Sequence, residues 1–315
     1  MAFLARRLGA AVVLLWVLSL LSFVLLAAAP GDPERVLLGA RPSTPETRAA
    51  IRAQFHLDDP LHERYLSWLG GALHGDFGTS ISTREPVTDM VADRLPVTAG
   101  LATYAIILTV GVGIPVGLAA AMRRGGGLDQ GITLTSLVAL AVPPFALSIL
   151  LLYGFAVTLG WFPVFGAGET AADQIAHLTL PAVALATGQA AVVVRQMRAA
   201  ALDLAGQDYL TFARARGLGL PRVWISYALR NTALPVLTVG GLLLAANLTG
   251  ALFVERAFGL RGLGELIVTA VAQKDIPVVQ ALVLLGGAVV VAVNLLIDLA
   301  YLAVDPRVRH GAVAS

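Results

Sequence analysis

The sequence predicts an all-α integral membrane protein with six spanning helices, a long extracytoplasmic loop after the first, and a short cytoplasmic helix between the fourth and fifth. Three observations carry this. The chain is 57% hydrophobic and 13% charged, where soluble domains carry about 25% charged residues. Six stretches of membrane length contain no Asp, Glu, Lys or Arg: Leu8–Gly31, Leu95–Met122, Gln130–Gly168, Gln174–Val194, Asn231–Val254 and Ile276–Ile297. The charges between them are sorted by sign.

A span needs about 20 mostly apolar residues, and in hydrocarbon the backbone must satisfy its own hydrogen bonds, so the runs are helices. The third run is long enough for more than one crossing. Its end, Trp161-Phe162-Pro163-Val164-Phe165-Gly166, reads as an interfacial turn of aromatics and proline, so it counts as one span. Six spans place both termini on one side. With the start inside, the inner segments hold 12 basic residues and five acids, and the outer segments hold ten and 15. The short basic loops then obey the positive-inside rule, and both termini are cytoplasmic.

In chain order, the first span follows Arg6-Arg7 and ends near Ala27-Ala28-Ala29, which has the outline of a secretory signal. The apolar run is too long for that, and it is read as an uncleaved anchor. Pro30 to Arg94 is a polar outer loop with a helix beginning at Pro45-Glu46-Thr47 behind Thr44. A shorter amphipathic piece follows at Tyr65–Leu69, and a turn at Gly75-Asp76-Phe77-Gly78-Thr79-Ser80. Loops over about 15 residues are more often functional or disordered, and the aromatic content here argues against disorder. Arg123-Arg124-Gly125-Gly126-Gly127 makes a basic inner turn. Pro143-Pro144 marks a kink or break in the third span, and the fourth contains Pro181. The organisation is a first span with its outer loop, 1–94, and a five-span core, 95–315, whose inner loop is 195–230.

That inner loop carries six arginines: Arg195, Arg198, Arg214, Arg216, Arg222 and Arg230. Asp208 suits an N-cap and Gly217 a C′ position. Between them Tyr209, Phe212, Ala213 and Arg216 fall at i, i+3, i+4 and i+7, on one face. Gly217 and Gly219 allow a reversal, and Pro221 suits the first turn of a second helix. Two readings stay open: a basic loop with a lipid-facing amphipathic helix, or a rigid knob that docks a soluble partner through aromatic and arginine anchors.

The pattern Asp208-Tyr209, Ala213-Arg214-Ala215-Arg216-Gly217-Leu218, Ala228-Leu229-Arg230-Asn231 and Leu234-Pro235 resembles the cytoplasmic EAA loop of ABC-importer permeases, in particular the B-type subunit of the dipeptide/oligopeptide group. The usual glutamate of that signature is absent, with Thr211 near its place. The resemblance extends over nearly the whole chain. Its further markers are Gly75–Ser80, Arg94-Leu95-Pro96-Val97-Thr98, Phe258–Gly264, Asp275-Ile276-Pro277, and Asn294–Asp298 with Asp305-Pro306-Arg307. It implies a multi-pass permease of a bacterial cell membrane, working with a second homologous permease, two ATP-binding subunits and an extracytoplasmic solute-binding protein, and importing a peptide. It also implies that the helix of Asp208, Tyr209, Phe212, Ala213, Arg214, Arg216, Gly217 and Leu218 couples the permease to an ATPase.

Other classes are weaker. A phosphate-binding loop needs Gly-Lys-Ser/Thr, and the only lysine, Lys274, stands between Gln273 and Asp275, so the chain is not itself the ATPase. There is no cysteine, and five scattered histidines make no metal cluster. Neither a cofactor nor nucleic acid is called for. An ATP-independent channel or secondary transporter is the alternative. It would be marked by paired charges deep in several spans, which the sequence lacks. Among intramembrane polar residues, which usually face a bundle interior or a water path, Gln189 and Asn247 are candidates for the translocation pathway. Asn294 and Asp298 read as interhelical bonding groups, and His177 and Glu255 as interfacial.

Overall fold

The computed structural model describes residues 2–27, 59–168, 170–205 and 249–304, with 44–46, 49, 243 and 247. The helices are α1 (Ala2–Ala27), α2 (Leu61–Leu73), α3 (Val87–Met122), α4 (Gly127–Ala141), α5 (Pro144–Leu151), α6 (Ala171–Ala205), α7 (Leu263–Ala272) and α8 (Ile276–Val304). Residues 249–257 are also helical, as are the described positions of the first outer-loop helix, Pro45, Glu46 and Ala49. The Glu46 carboxylate accepts from its own backbone N–H and from the Thr44 side chain, which hold its pKa below the ordinary value. No described residue lies in an extended strand.

Among the described residues, α1, α3, α6 and α8 are each long and apolar enough to cross a membrane. The third apolar run is a bent pair: α4 and the stretch Pro144–Thr158 meet at 99°. The cause is local. Pro144 cannot donate to a helix, and its ring drives Pro143 out of the helical region, to φ −63° and ψ 141°. After α5 the chain widens into a π-helical stretch, Leu152–Thr158, where Leu159 N–H donates to the Gly154 carbonyl at 3.2 Å. The expected kink is therefore present, and it divides the run into two short limbs. Of the expected fifth span, only 243, 247 and 249–254 are described, all helical.

The helices outrun their apolar cores. α3 begins at Val87 and α6 ends at Ala205, each several residues beyond the charge-free run. Of the charged residues there, Asp89, Asp93, Arg195 and Asp203 are exposed, while Arg94 and Arg198 are half-buried. Pro181 lies inside α6 without breaking it, as membrane helices tolerate when neighbours satisfy the freed carbonyl.

The chain forms two compact units: residues 1–96 with 265–292, and residues 97–264 with 293–315. In the first, the amphipathic α2 lies on α1. Tyr65 and Trp68, one turn apart on α2, meet Phe23 with ring centroids 5.4 and 6.0 Å away. The Tyr65 hydroxyl and Ser19 Oγ are hydrogen-bonded at 2.8 Å. Edge-on aromatic packing of this kind adds about 1 kcal/mol per pair beyond area burial. The expected piece at 65–69 is thus the centre of a 13-residue helix.

In the second unit a core of Leu101, Leu180, Leu185, Val254, Phe258 and Leu260 joins α3, α6 and the 249–257 stretch. α3 and α6 touch backbone to backbone. A Cβ at Gly113 would lie 2.7 Å from the Val193 side chain, and one at Gly117 would lie 2.6 Å from the Val194 carbonyl oxygen. Glycines four apart on α3 make this approach possible, the contact used where helices associate in lipid.

Candidate functional site

The residues expected to dock an ATPase (Asp208, Tyr209, Phe212, Ala213, Arg214, Arg216, Gly217 and Leu218) lie outside the described residues. The two pathway candidates are brought together. Gln189 of α6 donates through Nε2 to Asn247 Oδ1 at 2.6 Å, and both side chains are buried. Gln189 Oε1 and Asn247 Nδ2 have no partner among the described residues. Among the described residues the pair is half-satisfied, with one acceptor and one donor unbonded, an arrangement that is costly where water is absent.

Three acids missed as site residues organise the rest. Asp129, in the first turn of α4, is 3% exposed. Arg198 of α6 grips it with both forks, Nε to Oδ1 at 2.6 Å and Nη2 to Oδ2 at 2.8 Å. The Gly125 N–H donates to Oδ2 at 2.9 Å. These hydrogen bonds, the guanidinium's first, hold the Asp129 carboxyl at a pKa of about 2. The basic turn 123–127 is thereby tied to the stretch of α6 that leads into the arginine-rich loop. A bidentate pair adds geometric specificity as well as attraction.

Glu255, expected at an interface, is fully buried. Its Oε1 accepts from Thr98 Oγ1 at 2.7 Å and its Oε2 from Gly264 N–H at 2.7 Å. Thr98 Oγ1 in turn accepts from Leu263 N–H at 2.8 Å. The loop closing from Phe258 to Gly264 wraps the carboxylate so closely that a Cβ on Gly262 would run into it. The burial has a physical reason: glycines at 262 and 264 let the 258–264 loop close on the carboxylate, with the Gly264 amide reaching it.

Asp275, 1% exposed, holds the turn after Gly78 within the first unit. Its carboxylate accepts from Ser80 Oγ at 2.5 Å, Ser82 Oγ at 2.8 Å, and the Ile81 and Ser82 N–H groups at 3.1 Å. Thr79 and Pro86 pair antiparallel across this hairpin. Asp275 also ends α7. Its N–H donates to the Ala270 carbonyl and Lys274 N–H to that of Val271, 2.8 and 3.2 Å, a Schellman closure. Four of the stretches that resembled family markers thus bond in two pairs: Thr98 with the 258–264 loop, and Ser80 with Asp275.

An arrangement of long apolar helices, buried polar knots at helix ends and a broken third span defines a multi-pass helical membrane protein. The comparisons place it more narrowly. Residues 113–310 match the family model described as "Binding-protein-dependent transport system inner membrane component", and residues 1–102 match its N-terminal companion. The chain belongs to this family, and is a membrane component of a transport system rather than an enzyme. It is similar to the oligopeptide transport system permease protein AppB of Bacillus subtilis, 39% identical across 98% of this chain and 99% of that one. It is similar also to the dipeptide transport system permease protein DppB of Escherichia coli K12, 37% identical over 98% of each. In fold it matches the inward-facing MetNI methionine ABC transporter, with TM-score 0.58 and 16% identity over 69% of this chain and 96% of that one.

Proposed function

We propose that this chain is one permease subunit of an ATP-driven importer of di- or oligopeptides in a bacterial cell membrane, with both termini in the cytoplasm. The observation that carries the reading is the end-to-end similarity, near 40% identity, to permeases named for oligopeptide and dipeptide transport. A second homologous permease, two ATP-binding subunits and an extracytoplasmic solute-binding protein complete the machine. The functional division is 1–94, which receives the binding protein, and 95–315, which forms half of the pathway.

In this reading the Asp208–Gly217 helix seats in an ATPase subunit, and closure of the ATPases tilts the attached helices as rigid bodies to alternate access. The Asp129–Arg198 pair supports it, because it braces α6 against α4 two turns before α6 ends at Ala205. Gln189 and Asn247 form a polar joint along the path, and movement of α6 would open their mutual hydrogen bond to a passing peptide.

The test is reconstitution of the four-part complex with candidate binding proteins. Peptide-loaded binding protein should stimulate ATP hydrolysis and drive uptake. Uptake without ATP, or a complex that recruits no ATPase, rejects the reading. Gly217→Val should leave hydrolysis running while uptake falls about tenfold. Proportional loss of both argues against coupling through this helix.

A further inference from the structure

A groove of about 310 Å³ in the second unit lies on α6 between α3 and α4, lined by Val112 and Val116, Ile132 and Thr135, and Thr187 and Val194. Three hydroxyls also border it, those of Thr135, Ser136 and Thr187. Each donates within its own helix: to the Gly131 carbonyl at 2.9 Å, to that of Ile132 at 2.8 Å and to that of Val183 at 2.7 Å. Their protons are engaged, so the lining offers methyl and methylene groups and no side-chain donor. Water and peptide bonds are poorly served by such a wall, and hydrocarbon is well served. Asn247 and Gly250 meet α6 on its other side, at Gln189 and Leu185. Along α6 the groove runs from Thr187 to Val194, about 10 Å, which fits within one leaflet of a hydrocarbon core about 30 Å thick. The end near Val194 is basic. Arg198 follows Val194 by one turn and keeps 31% of its side-chain surface in solvent while it grips Asp129. Arg123, Arg124 and Arg195 are exposed, and Arg124 is close enough to act on the Asp129 charge. The described acids at this end are Asp129, matched by Arg198, and Asp203, which helical spacing puts on the face of α6 opposite Val194.

We infer that this groove binds one acyl chain of an anionic phospholipid from the cytoplasmic leaflet, with the lipid phosphate held by Arg124, Arg195 and the solvent-facing side of Arg198. The lining selects hydrocarbon, the depth selects a chain anchored in the nearer leaflet, and the arginines select a negative headgroup. A chain seated there packs α3, α4 and α6 together beside the Asp129–Arg198 pair. The membrane setting of the family and the proposed orientation are needed for this, and the transported peptide is not.

The experiment uses the full chain in its purified complex and counts bound lipid by native mass spectrometry. The probes are phosphatidylglycerol and phosphatidylcholine with the same acyl chains. Wild type should hold phosphatidylglycerol about tenfold more tightly than phosphatidylcholine. Arg124→Gln/Arg195→Gln should cut that preference to about twofold and leave phosphatidylcholine binding as it was. Thr135→Phe/Ala139→Leu, which fills the groove, should weaken both lipids about tenfold. Leu137→Phe, on the exposed side of α4, should weaken neither. Phosphatidylglycerol should raise the melting temperature of the wild-type and Leu137→Phe complexes but not of the groove-filled one. Unchanged lipid binding in the groove-filled variant overturns the inference, as does an equal loss in Leu137→Phe. A tenfold preference that survives removal of both arginines overturns the headgroup assignment. Cross-linking of Thr135→Cys, the sole thiol in an otherwise cysteine-free chain, to another membrane subunit gives the groove to a protein helix and also overturns it. Lipid binding is read without transport, so either result here leaves the importer reading to its own test.

Discussion

Glu255 and Asp129 are both buried acids that tie one segment of the second unit to another, yet they are built differently. Glu255 takes its described side-chain hydrogen bonds from a hydroxyl and a backbone amide, inside a loop whose glycines leave no spare volume. Asp129 is held by an arginine that keeps 31% of its side-chain surface in solvent. Backbone amides cannot swing away, so a knot made with them opens only if the fold opens. A guanidinium on a flexible stem can leave its partner and be rehydrated. The first arrangement suits a fixed frame, and the second a joint that transmits force and can be remade.

That contrast is open to attack. The largest effect is expected at Glu255→Ala, which strands the Thr98 hydroxyl and the Gly264 amide in the core. Two unpaired buried groups should cost about 3 kcal/mol or more, read as a steep fall in melting temperature and in assembled protein. A stable Glu255→Ala protein would remove the frame from the comparison. Gly264→Ala comes next. Its Cβ would sit 2.7 Å from the Leu252 Cα, and backbone yields poorly, so a loss of ~1–3 kcal/mol is expected in the same assay.

Asp129→Asn should behave otherwise. The protein should assemble and melt only slightly lower, while uptake per ATP hydrolysed falls roughly threefold. If it melts as low as Glu255→Ala with coupling intact, the joint is merely another frame. Acidification sharpens the point. Because the native pKa of Asp129 is lowered to about 2, its contribution is present above the unfolded value of about 4 and lost only as pH falls through the native one. The melting difference between wild type and Asp129→Asn should therefore be flat from about pH 8 to about pH 5. A difference that shrinks across that range would mean the pair is not made as described.

The smallest effect belongs to Gln189 and Asn247. A double-mutant cycle with leucine at each position should give a coupling near 0.6 kcal/mol, the usual size of a membrane interhelical hydrogen bond. A much larger coupling would point to a fully satisfied amide pair.

Much of the fold was legible because lipid leaves few options: a charge-free run of membrane length can only be helical, and α1, α3, α6 and α8 follow their runs. The break at Pro143-Pro144 was readable from proline's missing donor, though not its 99° angle, which depends on where the second limb packs. Gln189 and Asn247 were singled out as lone polar residues in apolar runs. That they meet each other is a matter of helix rotation, which spacing does not fix. Glu255, Asp275 and Asp129 were passed over because charge counting treats an acid at the end of an apolar run as facing water. The available signal was nearby glycine, at 262 and 264 for Glu255 and at 125 for Asp129, which lets backbone amides close on a carboxylate.

The glycine contact between α3 and α6 limits how this molecule can move. Helices separated by long side chains can slip past one another as those side chains change rotamer. Here Gly117 faces the Val194 backbone with no room for a methyl group between them, so there is no cushion to shear. Any displacement entering at the Ala205 end of α6 must carry this part of α3 with it, as one stiff plank rather than two sliding rods.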